Sequence, residues 1–418
     1  MAAWHACATH PLPIGPRYTL RQQRNRERAY DKCVRTVEED LDRAPREKSG
    51  RFAFERRFAA TFAHFAATAL DLDAVAVSLI TREFLPAGAK FARCARRFDA
   101  RLSMEEIVQA CRNAWTVCGL QPLLGRRLGV TPSIVGYSLL YPYTDNYLDR
   151  KEEAAELKRD FCRRFRRRLR GENLAAEDDH EAAVWALVAM IEGQYPRARY
   201  PQVFDCLLAI HQAQEESIAQ LGAGSAGGDH EILRISLAKG GTSVLADACL
   251  ARGWLTAIES QIAFDWGALL QLGDDLQDLR EDVGSGSATL FTLAISQGRP
   301  LDPLVAQLLN FSEHVGGELN DFPAGSAIFK DLLRMSWRSI IVAAVACVPE
   351  YCSRAFLSEL EAASPFRFGF LEERSRRLAG RRGLYSRTFN AVVDGLQESP
   401  VAPSRRRPGE REETLEAV

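Results

Sequence analysis

In almost every long segment of this 418-residue chain, apolar residues recur three and four positions apart, the period of one helix face. No convincing run alternates as a half-buried strand would, and no internal repeat is visible. "SMEEIVQACRNAWTVCG" opens with Ser103 and Glu106 three apart, a capping box that satisfies free backbone N–H groups at a helix start. "AAVWALVAMIEGQY", "PQVFDCLLAIHQAQEESIAQL", "TAIESQIAFDWGALLQLGDDLQDLRED" and "IFKDLLRMSWRSIIVAAVACV" carry the same period. Turn-forming stretches separate them: "RGENLAAEDD", "LGAGSAGGDH", "VGSGSA" and "DFPAGS". The expectation is an all-α bundle. Residues 1–50 read as an N-terminal extension, 51–397 as the helical domain and 398–418 as a disordered tail.

Apolar residues make up 46% of the chain, enough to build a large core, and the net charge of −1 gives no global attraction for nucleic acid or membrane. The longest unbroken apolar run, "SIIVAAVACVP" (339–349), is about half the roughly 20 residues that span a bilayer, so it reads as a buried helix. Ten cysteines are scattered singly with no CxxC pair, as in a protein whose thiols stay reduced; with no secretory or transit signal evident, a cytoplasmic location is expected. Charge is concentrated locally. "CRRFRRRLRG" (162–171) is strongly basic and reads as a solvated helix face rather than a substrate clamp, whereas "LGDDLQDLRED" (272–282) is strongly acidic.

That acidic stretch is unusual in its placement. Asp274 and Asp278 are four apart and Asp275 and Asp278 three apart, so they share a helix flank. Like charges at this spacing repel by roughly 0.2–0.5 kcal/mol per pair. Leu270, Gln271 and Trp266 precede them on that flank, so the acids extend an apolar stripe rather than oppose it. Glu281 and Asp282 then approach a helix C-terminus, where negative charge is unfavourable without a cation. Upstream, Asp145 and Asp149 form a second pair four apart, preceded by Tyr137 and Tyr141, with Pro142 expected to kink or start the helix. Two acid-ended helices facing each other would suit Mg²⁺, which takes one or two carboxylates together with water and substrate phosphates. Either motif taken alone is ordinary surface decoration; it is their joint occurrence, each flanked by apolar and aromatic residues, that points to a metal.

A third stretch, "ISLAKGGTSVLADACL" (235–250), has helical periodicity interrupted at Lys239-Gly240-Gly241-Thr242. Two glycines inside a helix cost about 1 kcal/mol each relative to alanine. Two readings stand: a break that lets a ligand approach, with Lys239 contacting a phosphate, or a plain inter-helix turn with a surface lysine.

These residues together resemble the class I isoprenoid (terpenoid) synthase superfamily. "DDLQD" resembles the second aspartate-rich DDxxD motif of trans-prenyl diphosphate synthases, and "TDNYLD" occupies the place of the first, with Asn146 where that motif has aspartate. "QLGDDLQDLRED" also resembles the squalene/phytoene synthase signature, whose DxxxD would fall on Asp278 and Asp282. The arrangement is most similar to bacterial class I enzymes that include the large-terpene synthases; it covers about residues 90 to 345 and lacks the NSE/DTE triad of microbial cyclases. "RRGLYSR" (381–387) echoes a cyclase Arg-Tyr pair.

The resemblance implies a helical bundle around an apolar pocket with acids holding Mg²⁺ at its mouth. Asp145, Asp149, Asp274, Asp275 and Asp278, with Asp282, would be catalytic metal ligands, and Lys239 and Gln271 would contact substrate. The substrate would be a linear prenyl diphosphate, ionised and cyclised by a terpene synthase; a homodimer is compatible with this reading. Tyr137, Tyr141, Tyr147, Phe264 and Trp266 are candidates to line the cavity, or else simply core. A prenyltransferase, chain-elongating or head-to-head, is the alternative enzyme, and a non-catalytic helical scaffold is the alternative outside catalysis.

Overall fold

The structure is a computed structural model and describes residues 1–12, 15–42, 48–149, 154–222 and 228–380. Among them every regular element is helical. The N-terminal part contributes α1 (Ala2–Ala6), α2 (Leu20–Asp42), α3 (Lys48–Ala69) and α4 (Ala74–Leu79), and a π-helical turn at Ile80–Phe84 leads into α5 (Leu85–Phe98). The central run is α6 (Met104–Leu123), α7 (Pro132–Asp149), α8 (Ala155–Leu169), α9 (Asp179–Gln194), α10 (Pro201–Gly222), α11 (Asp229–Arg252) and α12 (Ala257–Gln277). Short helices α13 (Leu279–Ser285) and α14 (Leu290–Ser296) precede α15 (Asp302–Glu318), α16 (Ala327–Cys347), α17 (Arg354–Ala362) and α18 (Phe368–Gly380). The expected tail at 398–418 and the "RRGLYSR" stretch lie outside the described residues.

Local chemistry sets the helix starts. Ser103 caps α6 and Thr256 caps α12, each in a complete capping box with the glutamate three residues on. The longest apolar run falls in α16, where Ile341, Val342 and Val345 are buried, and no helix among the described residues is long and apolar enough to cross a membrane. Residues of the first fifty pack onto the C-terminal helices. Trp4 is buried edge-on against Phe311, and the Gln23 amide donates to the carbonyls of Glu361 (2.9 Å) and Ser364 (3.0 Å).

Helices α11 and α12 form the most extensive helix pair, and here both readings of the glycines need correction. Helix α11 runs unbroken through Lys239-Gly240-Gly241-Thr242. A Cβ on Gly240 would lie 2.3 Å from the carbonyl oxygen of Gly267 on α12, and one on Gly241 would enter the Phe264 ring. The glycines are therefore where two helix backbones touch. They bring the Lys239 face of α11 against Gln271, whose Cβ would be 2.4 Å from that same Gly240 substituent.

Two further expectations change. The acidic stretch is not one helix: α12 ends at Gln277, and Asp278 (φ −90°, ψ 5°) bends the chain into α13. Aspartate is a poor helix former, and the clustered carboxylates add repulsion. The basic stretch in α8 is not simply a solvated face. Arg164 pairs with Glu181, Arg168 with Glu192 and Arg166 with Glu215, tying α8 to α9 and α10, while Phe165 and Leu169 turn inward.

Candidate active site: a cavity with acids at its open end

Helices α6, α7, α8, α10, α11, α12 and α16, with the α13 region, enclose a cavity of about 940 Å³. Asp145 of α7, Asp274 and Asp275 of α12, Asp278 at the bend and Asp282 of α13 all line it, as do Lys239 of α11 and Gln271 of α12. Asp278 is exposed, and Asp145, Asp274, Asp282 and Lys239 are half-buried, so this end of the cavity meets solvent. Tyr137, Leu140, Leu207, Val244 and Asp247 also line the cavity and are buried, which defines its interior end.

Each acid has a distinct setting. Asp274 pairs with Arg112 of α6 (Nη2–Oδ1 2.6 Å), and Arg112 also lines the cavity. Asp145 accepts from the Gln214 amide of α10 and from the Thr144 hydroxyl (3.1 Å). Helix α7 runs through Pro142 rather than starting there, and Thr144 bonds back to the Leu140 carbonyl (2.8 Å). Asp275, 7% exposed, accepts from Gln271 (2.8 Å) through Oδ1, while its Oδ2 has no hydrogen-bond partner among the described residues. Burial pushes the Asp275 carboxyl up to about 6, against the opposing pull of the Gln271 amide, then the Ser236 hydroxyl, then Lys239. Asp278, though its surface meets solvent, is raised by partial desolvation and then by Asp274 and Asp282; Asp282 is raised by burial and by Glu281, with the Ser287 hydroxyl and then Lys239 pulling it back.

The donors are hard carboxylate oxygens with one buried oxygen left unsatisfied, a set whose chemistry fits a hard divalent cation. Among the described residues, no three His, Cys, Asp or Glu side chains converge as a ready-made metal group. Asp274 and Asp145 are turned to Arg112 and Gln214, and the Asp149 side chain, at the last residue of α7, lies outside the described residues.

The five aromatic candidates divide. Tyr137 and Tyr141 line the cavity, and the Tyr137 hydroxyl donates to the Ser243 carbonyl (3.1 Å). Tyr147 instead stacks on His180 (4.4 Å), Phe264 packs on Gly241, and Trp266 meets Trp337 edge-on (5.0 Å). These three are not among the lining residues. Sequence reasoning missed Arg112, Gln214 and Asp247. Asp247 did carry a signal: it lies four residues beyond Ser243 and eight beyond Lys239, on the same helix face.

Neither the known family models nor the curated proteins contain a match to this chain.

Proposed function

We propose that this protein is a magnesium-dependent terpene synthase acting on a linear prenyl diphosphate. The observation that carries the proposal is that Asp145, Asp274, Asp275, Asp278, Asp282 and Lys239 all line one large cavity. Those residues come from helices α7, α11, α12 and α13 and from the bend between the last two. At about 940 Å³ the cavity lies at the upper end of the range for small-molecule sites.

In this reading Asp145 and the acids of α12, α13 and the bend between them would hold Mg²⁺, which when bound would supply Lewis-acid stabilisation of a diphosphate leaving group. Lys239 and Arg112 supply positive charge beside those acids and would contact the diphosphate oxygens. The hydrocarbon chain would lie along Leu140, Leu207, Val244 and Ile341, which exclude water from an allylic cation. Tyr137, Tyr141 and Trp337 line the same space and would stabilise positive charge, each contact contributing roughly 0.5–2 kcal/mol.

The test is to supply a single prenyl diphosphate (geranyl, farnesyl or geranylgeranyl) with magnesium. The proposal expects free diphosphate and a hydrocarbon or alcohol of unchanged carbon number. A longer diphosphate appearing only when isopentenyl diphosphate is added would make the protein a chain-elongating prenyltransferase. A product of doubled carbon number would make it a head-to-head condensing enzyme.

A further inference from the structure

The interior end of the cavity holds a carboxyl group for which hydrocarbon packing gives no reason. Asp247 lines the cavity, is 1% exposed, and its Oδ1 has no hydrogen-bond partner among the described residues. It shares a face of α11 with Lys239 and Ser243; eight residues of helix set it about 12 Å from Lys239 along the axis. Leu140, Leu207 and Val244 line the cavity with it and are buried. Among the described residues, Asp247 acts electrostatically on Tyr137 of α7 and Cys118 of α6, neither of them a cation, and burial alone shifts its own carboxyl. An unsatisfied buried carboxyl destabilises the fold, and an apolar side chain of similar size would cost less.

Resting on the function proposed above, we infer that Asp247 takes the proton whose loss ends the carbocation reaction. Ionisation at the acid-lined end leaves a cation whose hydrocarbon body reaches the interior end. The C–H bond next to the cationic carbon breaks, its electron pair becomes the C=C bond of the product, and the proton passes to the free Oδ1 of Asp247. The carboxyl then sheds a proton to water as product leaves, so atoms and charge balance without another reagent.

Burial holds the Asp247 carboxyl well above the usual carboxylate range, so it waits as the neutral acid. Neutrality suits this role. A carboxylate beside a carbocation would collapse onto it as an ester and end turnover, whereas a neutral carboxyl is a weak nucleophile. Its carbonyl oxygen is still basic enough for a proton as acidic as one beside a tertiary cation.

The experiment measures alkene formed per diphosphate released, with magnesium and one prenyl diphosphate, in the full-length wild type, Asp247→Val and Asp247→Leu, both of which remove the accepting oxygen. Melting temperatures are recorded alongside, to show that each variant is folded. A positioned base contributes about 10²–10⁴-fold, so the alkene share should fall at least tenfold in both variants, with water-quenched alcohol taking its place. A purely structural role for Asp247 would lower total turnover and leave the ratio untouched. An unchanged ratio in either folded variant overturns the inference alone; a wild type that releases no diphosphate from any prenyl chain overturns it together with the proposed function.

Discussion

Replacing Gly267 with alanine tests whether the α11–α12 contact positions the site. The new Cβ would lie 2.0 Å from the Gly240 carbonyl oxygen, 2.7 Å from its carbon and 2.9 Å from the Gly241 Cα. The closest of these is about 1.4 Å short of the 3.4 Å at which ordinary contact begins. All three are backbone atoms, so no rotamer change relieves the clash and the helices must separate by roughly 1 Å. Alanine would return about 1 kcal/mol of helix propensity. Overpacking costs about 1–3 kcal/mol, at the high end where only backbone can give way. Net destabilisation of about 1–2 kcal/mol is expected, read as a lower urea midpoint. Because α11 carries Lys239 and α12 carries Asp274 and Asp275, the same shift should slow diphosphate release by about 10²-fold, the usual effect of a 1 Å misplacement. Gly193→Ala on α9 is the control: nothing lies within 4 Å of its Cβ, so stability should rise by about 0.5–1 kcal/mol. A Gly267→Ala protein as stable and active as wild type would refute the argument.

Three other outcomes follow from the site. Asp275 has its carboxyl raised from 3.8 to about 6 in the fold, so its contribution to stability is complete below about pH 4 and lost as pH rises through 6. The stability of metal-free wild type relative to Asp275→Asn should therefore fall by about 2–3 kcal/mol between pH 4 and pH 7; parallel urea midpoints for the two proteins would contradict this. Asp145→Asn and Asp274→Asn should fold yet lose diphosphate release by at least about 10²-fold, and wild-type turnover in both would make these acids bystanders. Asp247→Leu should raise the melting temperature, since it removes an unsatisfied buried oxygen at a cost of about 1–3 kcal/mol; a lower melting temperature would mean the carboxyl has a structural partner.

Helical periodicity alone was sufficient to read the all-α architecture, and the capping box at Ser103 and Glu106 is present as its spacing implies. Of the acids singled out in the sequence, Asp145, Asp274, Asp275, Asp278 and Asp282 line one cavity with Lys239, and the signal was a carboxylate extending an apolar stripe, which is out of place whatever the partner helix. The glycines were not. Whether Gly240-Gly241 breaks a helix or lets one approach closely depends on what crosses it, and the answer sits at Phe264 and Gly267 in the next helix. The basic run was misread for the same reason, since its partners Glu181, Glu192 and Glu215 lie on other helices. Among the aromatics, Tyr137, Tyr141 and Tyr147 stand on one helix and differ in rotation about it and in height along it. Periodicity marks a buried face without saying whether a neighbour or a cavity lies against it.

The account depends most on the acids and Lys239 acting as one magnesium–diphosphate site. Calorimetric titration of inorganic diphosphate into the full-length protein, with magnesium and then with excess chelator, measures this without requiring turnover. Saturable one-site binding that needs magnesium, weakened in Lys239→Ala and abolished in Asp145→Asn, is the predicted result. Equal binding in chelator, or the same affinity in wild type and Asp145→Asn, would contradict it.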